Sequence, residues 1–457
     1  MRELEYSIIR AFRAGLRPYA KSARDDSGLL EARNTRVGPL GLEPLVPVAR
    51  YATFARSWPF PQFIDTDGED QFVVVRGAVS DTLYSLDGGG AVTKLADFAQ
   101  GTRLEMADFQ NYRVFSNGVG LVQQAPSGLT VGIAASTIPL FRTACAFNGQ
   151  CLLGNITSSW YDCDASSVVW SAIGSIDFTP GRSNVAGFAK TGGEVYGLRK
   201  YGERVVVYGS KHIDTLIPVS EPAPTFGRRA MLPVGLAGRY AFAGDETTQV
   251  FVDEAGWLWR LEGESQYKSS SLPPQRLGYQ EFMTRMTASD IVVSFDRVRR
   301  DFVISDGRHA FLLSPHGLSE THQAVSGMLR SNGALVGDYE DLGRHPFRAQ
   351  TDTIDLGYRG AKTLFTHEYG GDGTGKMDLS IEWRNDRSEE FRLVGPSPLN
   401  KEGVATLIVS GTEFRFVLEA GTYEGVAVNY LKTRFKMTDL RSLRGIYAPP
   451  PRGQSDQ

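Results

Sequence analysis

Short apolar runs of four or five residues, each closed by a turn residue, recur through the middle of the chain. Val168-Val169-Trp170-Ser171 leads to Gly174 and then to Phe178-Thr179-Pro180-Gly181. Glu194-Val195-Tyr196-Gly197-Leu198, Gly202, Val205-Val206-Val207-Tyr208 and Ile213-Asp214-Thr215-Leu216 follow. After a proline-bearing link come Tyr240-Ala241-Phe242-Ala243, Gly244, Val250-Phe251-Val252, Gly256 and Trp257-Leu258-Trp259. Runs this short, rich in β-branched and aromatic residues and bounded by glycine, predict strands rather than helices.

The same texture extends on both sides. Phe72-Val73-Val74-Val75, Leu83-Tyr84-Ser85-Leu86, the turn Asp87-Gly88-Gly89-Gly90 and Val92-Thr93-Lys94-Leu95 open it. Tyr112-Arg113-Val114-Phe115 with Asn117-Gly118 carries a strong hairpin signal. Cys145 to Leu153 begins a third unit, and Ile291 to Phe295, Asp301 to Ser305 and Ala310 to Leu313 form the last. A loose period of roughly 40 to 50 residues predicts an all-β fold, a β-propeller of about six blades over residues 71–348.

The flanks read differently. Leu4, Ile8 and Phe12 stand at helical spacing, so a short N-terminal helix ended by Gly15 and Pro18 is predicted. Prolines at 39, 44, 47, 59 and 61 then keep residues 1–70 an extended arm lying along other strands. From Ala349 the strands lengthen and alternate cleanly. Met377, Leu379, Ile381 and Trp383 interleave with Asp378, Ser380, Glu382 and Arg384, and Phe414, Phe416 and Leu418 with Glu413, Arg415 and Glu419. Between Val426 and Met437 the apolar parity shifts at Tyr430 and Leu431, which predicts a bulge. Residues 349–445 thus read as a C-terminal antiparallel β domain, and the polar, proline-rich residues 446–457 as a flexible tail.

Composition narrows the partners. With 457 residues, two domains or a quasi-repeating architecture are expected, and 41% hydrophobic residues supply the core. No apolar run is long enough to cross a membrane, and charges from Arg2 onward leave no room for a secretion signal, so no membrane partner is expected. A formal net charge of −3 argues against a protein that grips nucleic acid over a wide surface. Cys145, Cys151 and Cys163 form no Cys-x-x-Cys pair and are read as free, mostly buried thiols.

Candidate chemistry is thin, and the reading assigns no catalytic, cofactor-binding or metal-binding residue and no cofactor. Gly370-Gly371-Asp372-Gly373-Thr374-Gly375-Lys376-Met377 has the spacing of a phosphate-binding loop, but Met377 replaces the metal-holding hydroxyl and an alternating strand follows, so a hairpin is preferred. Asp65, Asp67, Glu69 and Asp70 around Gly68 fall short of a full calcium loop and read as a solvated turn. His212, His309, His316, His322, His345 and His367 make no close ligand motif and are placed at the surface or at strand ends. Glu389-Glu390 receives no acid and base roles, because adjacency in sequence does not define a glycosidase pair. Arg297, Arg299 and Arg300 are placed on a solvated turn able to meet an acidic neighbour.

One resemblance covers most of the chain. Gly15-Leu16 followed by Gly28-Leu29-Leu30-Glu31-Ala32-Arg33-Asn34-Thr35-Arg36-Val37 resembles the opening of the β-propeller tail hub, or nozzle, proteins of short-tailed bacteriophages. Val169-Trp170-Ser171-Ala172-Ile173-Gly174, Gly202 to Tyr208, Asp352 to Gly357, Lys362 and Arg441 to Gly445 extend it, while Leu42-Glu43-Pro44 departs from an Arg-Pro-Gly-like segment. The resemblance implies a structural, non-enzymatic virion subunit assembled in the bacterial cytoplasm. Its implied partners are copies of itself in a hexameric ring, portal-adaptor proteins, tail fibres or a plug or needle, and genomic DNA passing through the lumen without tight binding. A carbohydrate-binding or glycan-degrading propeller is the other reading, since propellers serve many chemistries.

Overall fold

The computed structural model describes residues 4–17, 28–45, 62–65, 71–86, 92–109, 112–124, 131–132, 137–157, 163–180, 184–187, 193–219, 225–262, 273–322, 325–328, 335–337, 345–358, 360–373, 376–423 and 425–438. Nearly all regular structure is β, with helix confined to short turns such as Gln280–Met283 and Ala288–Asp290. The chain divides into two compact units. One takes Val46–Leu312 and Gln323–Glu340; the other takes Met1–Leu45, Leu313–His322 and Asp341–Gln457.

The first unit is a succession of small antiparallel sheets. Sheet 1 holds Gln62–Asp65, Gln71–Arg76, Ser80–Leu86 and Val92–Ala99, and sheet 2 holds Glu105–Phe109, Tyr112–Ser116, Leu121–Gln124 and Val131–Gly132. Sheet 3 holds Thr143–Phe147, Gln150–Gly154, Ser167–Trp170 and Asn184–Gly187, and sheet 4 holds Val195–Tyr201, Arg204–Gly209, Ile213–Val219 and Thr225–Leu232. Sheet 5 holds Phe242–Gly244, Thr248–Val252, Leu258–Glu262 and Gln275–Arg276. Val292–Asp296, Asp301–Ser305 and Ala310–Leu313 form a sixth group, and Val325–Met328 pairs with Leu335–Gly337 in a final hairpin.

The apolar runs explain how these sheets stack. In Arg204–Gly209, Val205 and Val207 pack with Leu152, Val168 and Trp170 of sheet 3, while Val206 and Tyr208 pack with Phe242, Phe251 and Leu261 of sheet 5. Sheet 3 divides the same way, Leu153 and Val169 facing Ala107, Phe109 and Val114 of sheet 2. Phe115 of sheet 2 turns instead to Phe72 and Val74, meeting the Phe72 ring edge-on at 5.1 Å. A strand with sheets on both faces must be apolar at odd and even positions alike, which is why these runs do not alternate. Successive first strands lie side by side, Glu105–Phe109 against Thr143–Phe147, Thr143–Phe147 against Val195–Tyr201, and Phe242–Gly244 against Val292–Asp296. The last hairpin touches both Val292–Asp296 and Gln62–Asp65.

The second unit has longer strands in two layers. One sheet runs Thr35–Val37, Leu42–Pro44, Ala427–Met437, Lys362–Asp372 and Val404–Gly411, with Glu5–Ile9 also pairing to Ala427–Met437. The other runs Leu318–Thr321, Leu29–Arg33, Phe347–Thr351, Glu413–Ala420, Met377–Arg384 and Arg392–Pro398. The layers meet where His367 of the first lies against the Phe416 ring of the second, at 5.7 Å.

Several expectations change. Glu5–Ile9 is a strand and not a helix: Ile8 is paired with Lys432 and Ile9 with Leu431, and only Ala11–Arg13 forms a short 3-10 turn. Alternating exposure, with Ile9 buried and Tyr6 and Ile8 open, suits its edge position. The arm drawn over residues 1–70 is divided, since Gln62–Asp65 belongs to sheet 1 and the described residues up to 45 supply strands of the second unit. The parity shift near Tyr430 is a bulge, with Gly370 opposite Tyr430 and Gly371 opposite Val428, so Asn429 is the extra residue. The glycine-rich loop is not a hairpin, because Lys362–Asp372 and Met377–Arg384 lie in different layers. Ser380, placed on the wet face by alternation, is buried, with the Gly395 backbone of the neighbouring strand close over its hydroxyl. The tail 446–457 lies outside the described residues.

Candidate functional site

Charged residues stand at the entrances of the first strands in sheets 2 to 5. Arg103 precedes Glu105–Phe109, Arg142 precedes Thr143–Phe147, Glu194 precedes Val195–Tyr201, and Arg239 and Tyr240 precede Phe242–Gly244. Because those strands neighbour one another, the entrances converge. Arg142 Nη1 lies 3.7 Å from Glu194 Oε1, and Arg239 pairs with the same oxygen. Asn155 Nδ2 donates to it at 3.0 Å. Sheets 2 and 5 also meet here: the Arg103 backbone N–H donates to Tyr240 Oη at 2.8 Å, and the Arg103 guanidinium lies 5.1 Å from that ring's centre. One strand turn deeper, Arg199 reaches Glu105 at 3.8 Å and covers Phe242 at 5.0 Å.

Local backbone makes room for this cluster. Gly118, in the Asn117-Gly118 turn, has φ +78, and a Cβ there would come within 2.5 Å of Arg142 Nε. Asn117 is buried and its Oδ1 accepts from Val119 and Gly120, closing the turn on itself. Glu194 is fixed by its own N–H donating to Ser210 Oγ at 3.0 Å.

The two carboxylates are driven in opposite directions. Burial raises Glu105, opposed by Arg199 and Arg103. Burial pushes Glu194 the same way, but Asn155, Arg239 and Arg142 together hold it below the usual carboxylate range. Glu194 is therefore a fixed anion, poorly suited to take a proton.

At the opposite ends of the same strands, the first hairpin turns interlock. Arg300, at φ +61 in the turn after Val292–Asp296, donates to Asp245 at 2.7 Å, Thr247 at 2.8 Å and Thr248 at 2.6 Å. Lys200 pairs with Glu246 at 2.6 Å, and Gly202 N–H donates to the Glu246 carbonyl. An open cleft of about 730 Å³ lies between the turns of sheets 3 and 4, lined by Phe109, Phe147, Asn148, Lys200, Glu203 and Pro218 among others.

The residues singled out in the sequence are scattered. Cys145, Cys151 and Cys163 are in no disulfide; burial pushes the Cys145 thiol up to about 11 and Cys151 further, so neither is a ready thiolate. Asp65 ends a strand, and residues 66–70 lie outside the described residues. Arg299 pairs with Asp296 at 3.3 Å, so the basic turn meets acidic neighbours within its own unit. Glu389 and Glu390 sit in the loop between Met377–Arg384 and Arg392–Pro398. Among the described residues no group of three or more His, Cys, Asp or Glu is placed to hold a metal ion.

One histidine departs from expectation, while His322 lies at the end of the strand Leu318–Thr321, as expected. His367 is fully buried in mid-strand, its ring nitrogens 3.2 Å from Thr433 Oγ1 and 3.2 Å from the Leu407 carbonyl, and burial lowers it to about 4. His322 stacks on His345 at 3.6 Å and meets Asn34 Oδ1 at 2.6 Å; burial and then His345 lower it to about 4 as well. Lys362 is also buried, donating to the carbonyls of Tyr358, Gly360 and Thr412 at 2.5, 2.8 and 3.1 Å. Burial lowers it to about 8, against Asp355 and Glu413.

The entrance cluster had no local motif to reveal it, since its members spread from Arg103 to Tyr240. Its one sequence signal is the charged residue at or just before the opening of successive first strands.

No protein-family model and no curated protein matches the chain. Solved structures do. Kluyveromyces lactis Hsv2 is 10% identical with a TM-score of 0.35, covering 56% of this chain and 83% of its own. The extracellular domain of a one-component system from B. thetaiotaomicron is 10% identical with a TM-score of 0.39, covering 77% of this chain but only 46% of its own. The β-propeller domain of Myceliophteria thermophila Cps50 (Swd1) is 11% identical with a TM-score of 0.36, covering 64% and 92%. At scores and identities this low, these likenesses assign nothing to this chain.

Proposed function

We propose that the chain is a structural subunit of a bacteriophage tail, a hub or nozzle protein whose first unit closes into a β-propeller of six blades and whose second unit builds a homohexameric ring. Face-to-face stacking of successive sheets, and entrances that bring sheet 2 to sheet 5, support the propeller. The observation that carries the assembly reading is the edge chemistry of the second unit. Leu4, Tyr6 and Ile8 are exposed on or beside the edge strand Glu5–Ile9, and Leu393 and Ile408 are exposed on the edge strands Arg392–Pro398 and Val404–Gly411. Open apolar edges invite pairing with another chain, and two dissimilar edges suit a head-to-tail contact that closes as a ring.

In this reading portal-adaptor proteins bind one end of the ring, fibres or a plug bind the other, and DNA passes without being gripped. Native mass measurement and negative-stain imaging of the purified full chain test it: six-fold rings are expected, and a monomer at all concentrations, together with a monomer in intact virions, overturns it. Titration with duplex DNA at low and moderate salt tests the channel; tight binding with a steep salt slope would contradict it. The cleft between the turns of sheets 3 and 4 favours the second reading, a carbohydrate-binding or glycan-degrading protein, because Phe109 and Phe147 beside Asn148 and Glu203 offer aromatic and polar groups together.

A further inference from the structure

Arg239 has an unmet demand in the entrance cluster. Its Nη2, Arg142 Nη1 and Asn155 Nδ2 all converge on one oxygen, Glu194 Oε1. Arg239 Nη1 is meanwhile enclosed and has no acceptor. A guanidinium presents its donors as a planar fork matched to two oxygens of one anion, and here half of that fork is unused. A buried charged donor left without a partner is costly, so an acceptor arriving from solution gains what the fold leaves unsatisfied.

Charge and access point the same way. Arg142, Arg239 and Glu194 set two cations against one anion. The Arg142 and Glu194 side chains are 34% and 33% exposed, so the cluster is open to a solute, while Arg239, at 16%, forms its floor. The Tyr196 ring lies under the Arg239 guanidinium at 4.9 Å and holds it in plane.

We propose that Arg239 and Arg142 form a binding site for the oxyanion of a small solute, a carboxylate or a phosphate. Glu194 and Asn155 preorganise the two guanidiniums; the more exposed Arg142 meets the oxyanion first, and Arg239 Nη1, covered in the free chain, donates to it once the side chains over it move aside. The site belongs to a single subunit and does not depend on ring assembly.

Isothermal titration and thermal unfolding of the full chain with sodium D-glucuronate, inorganic phosphate and, at matched ionic strength, sodium chloride test this. Saturable binding of glucuronate or phosphate, absent with chloride, is expected, and whichever anion binds identifies the source. Arg239→Gln is expected to weaken that binding about tenfold or more, with Arg142→Gln acting in the same direction. No saturable binding of either anion to the unmodified chain overturns the proposal, as does unchanged binding in Arg239→Gln. Should Arg239→Gln fail to fold, the partly exposed Arg142→Gln takes its place, and unchanged affinity there counts equally against the site.

Discussion

The two units solve burial in different ways. In the stacked sheets, mid-sheet strands such as Arg204–Gly209 are apolar on both faces, and each face serves a different neighbour. In the two-layer unit the central strands carry polar groups into the interior, Lys362, His367 and Thr433 among them, each with named partners. Stability in the first unit thus rests mainly on sheet-to-sheet contacts, whereas in the second it rests also on the protonation of polar groups buried in mid-sheet. Truncation should separate the two at one extreme and titration at the other.

The largest effect belongs to the stacked sheets. Trp170 is buried between sheets 3 and 4 and meets the Phe226 ring edge-on at 5.2 Å. Trp170→Ala should cost about 3–5 kcal/mol. Hydrogen exchange should show the loss concentrated in sheets 3 and 4 while the two-layer unit keeps its protection; a uniform loss would break the comparison.

Acid comes next. His367 titrates near 6.5 when unfolded and at about 4 in place, so below 6.5 the unfolded chain takes up a proton that the folded one refuses. Stability should therefore fall as pH drops from 6.5 to about 4, by on the order of 3 kcal/mol. Urea midpoints of the second unit at neutral and acid pH check this, and His367→Gln should flatten the slope. His322 works in the same direction and window.

Base gives the mirror case. Lys362 is lowered to about 8, so between 8 and 10.5 the unfolded chain holds a proton that the folded one has released, and stability should rise with pH across that window. Lys362→Met should abolish the rise, which urea midpoints of the second unit at about pH 8 and 10 check, because no group remains there to release the proton. The smallest effect is expected at the interlocked turns. Arg300 is 41% exposed, so Arg300→Gly, which loses the Asp245 pair but relieves the positive φ, should change stability by less than about 1 kcal/mol.

Much of the fold was legible because its signals are local. The apolar runs at Val168, Val205 and Val250 became strands, and the Asn117-Gly118 turn formed where its chemistry requires one. The parity shift near Tyr430 marked the bulge to within a residue. Where local signals conflicted with long-range pairing, pairing won. Leu4, Ile8 and Phe12 have helical spacing, yet Ala427–Met437 offers a free edge, and ladder hydrogen bonds from a distant strand outweigh a weak periodicity. His367 looked like a surface residue because no sequence signal announces that Thr433 and the Leu407 carbonyl will flank it.

By itself, the sequence determined the element type of the short apolar runs and of the alternating strands Met377–Arg384 and Glu413–Ala420, since side-chain period and turn chemistry act over a few residues. Only the tertiary structure decided which strands share a sheet, that Glu5–Ile9, Leu29–Arg33 and Leu42–Pro44 join the C-terminal strands, that Arg142, Glu194 and Arg239 meet, and that Arg103 meets Tyr240. Those contacts span tens to hundreds of residues, and they form because stacking one sheet on the next brings the strand entrances together, a consequence of packing that no local pattern encodes.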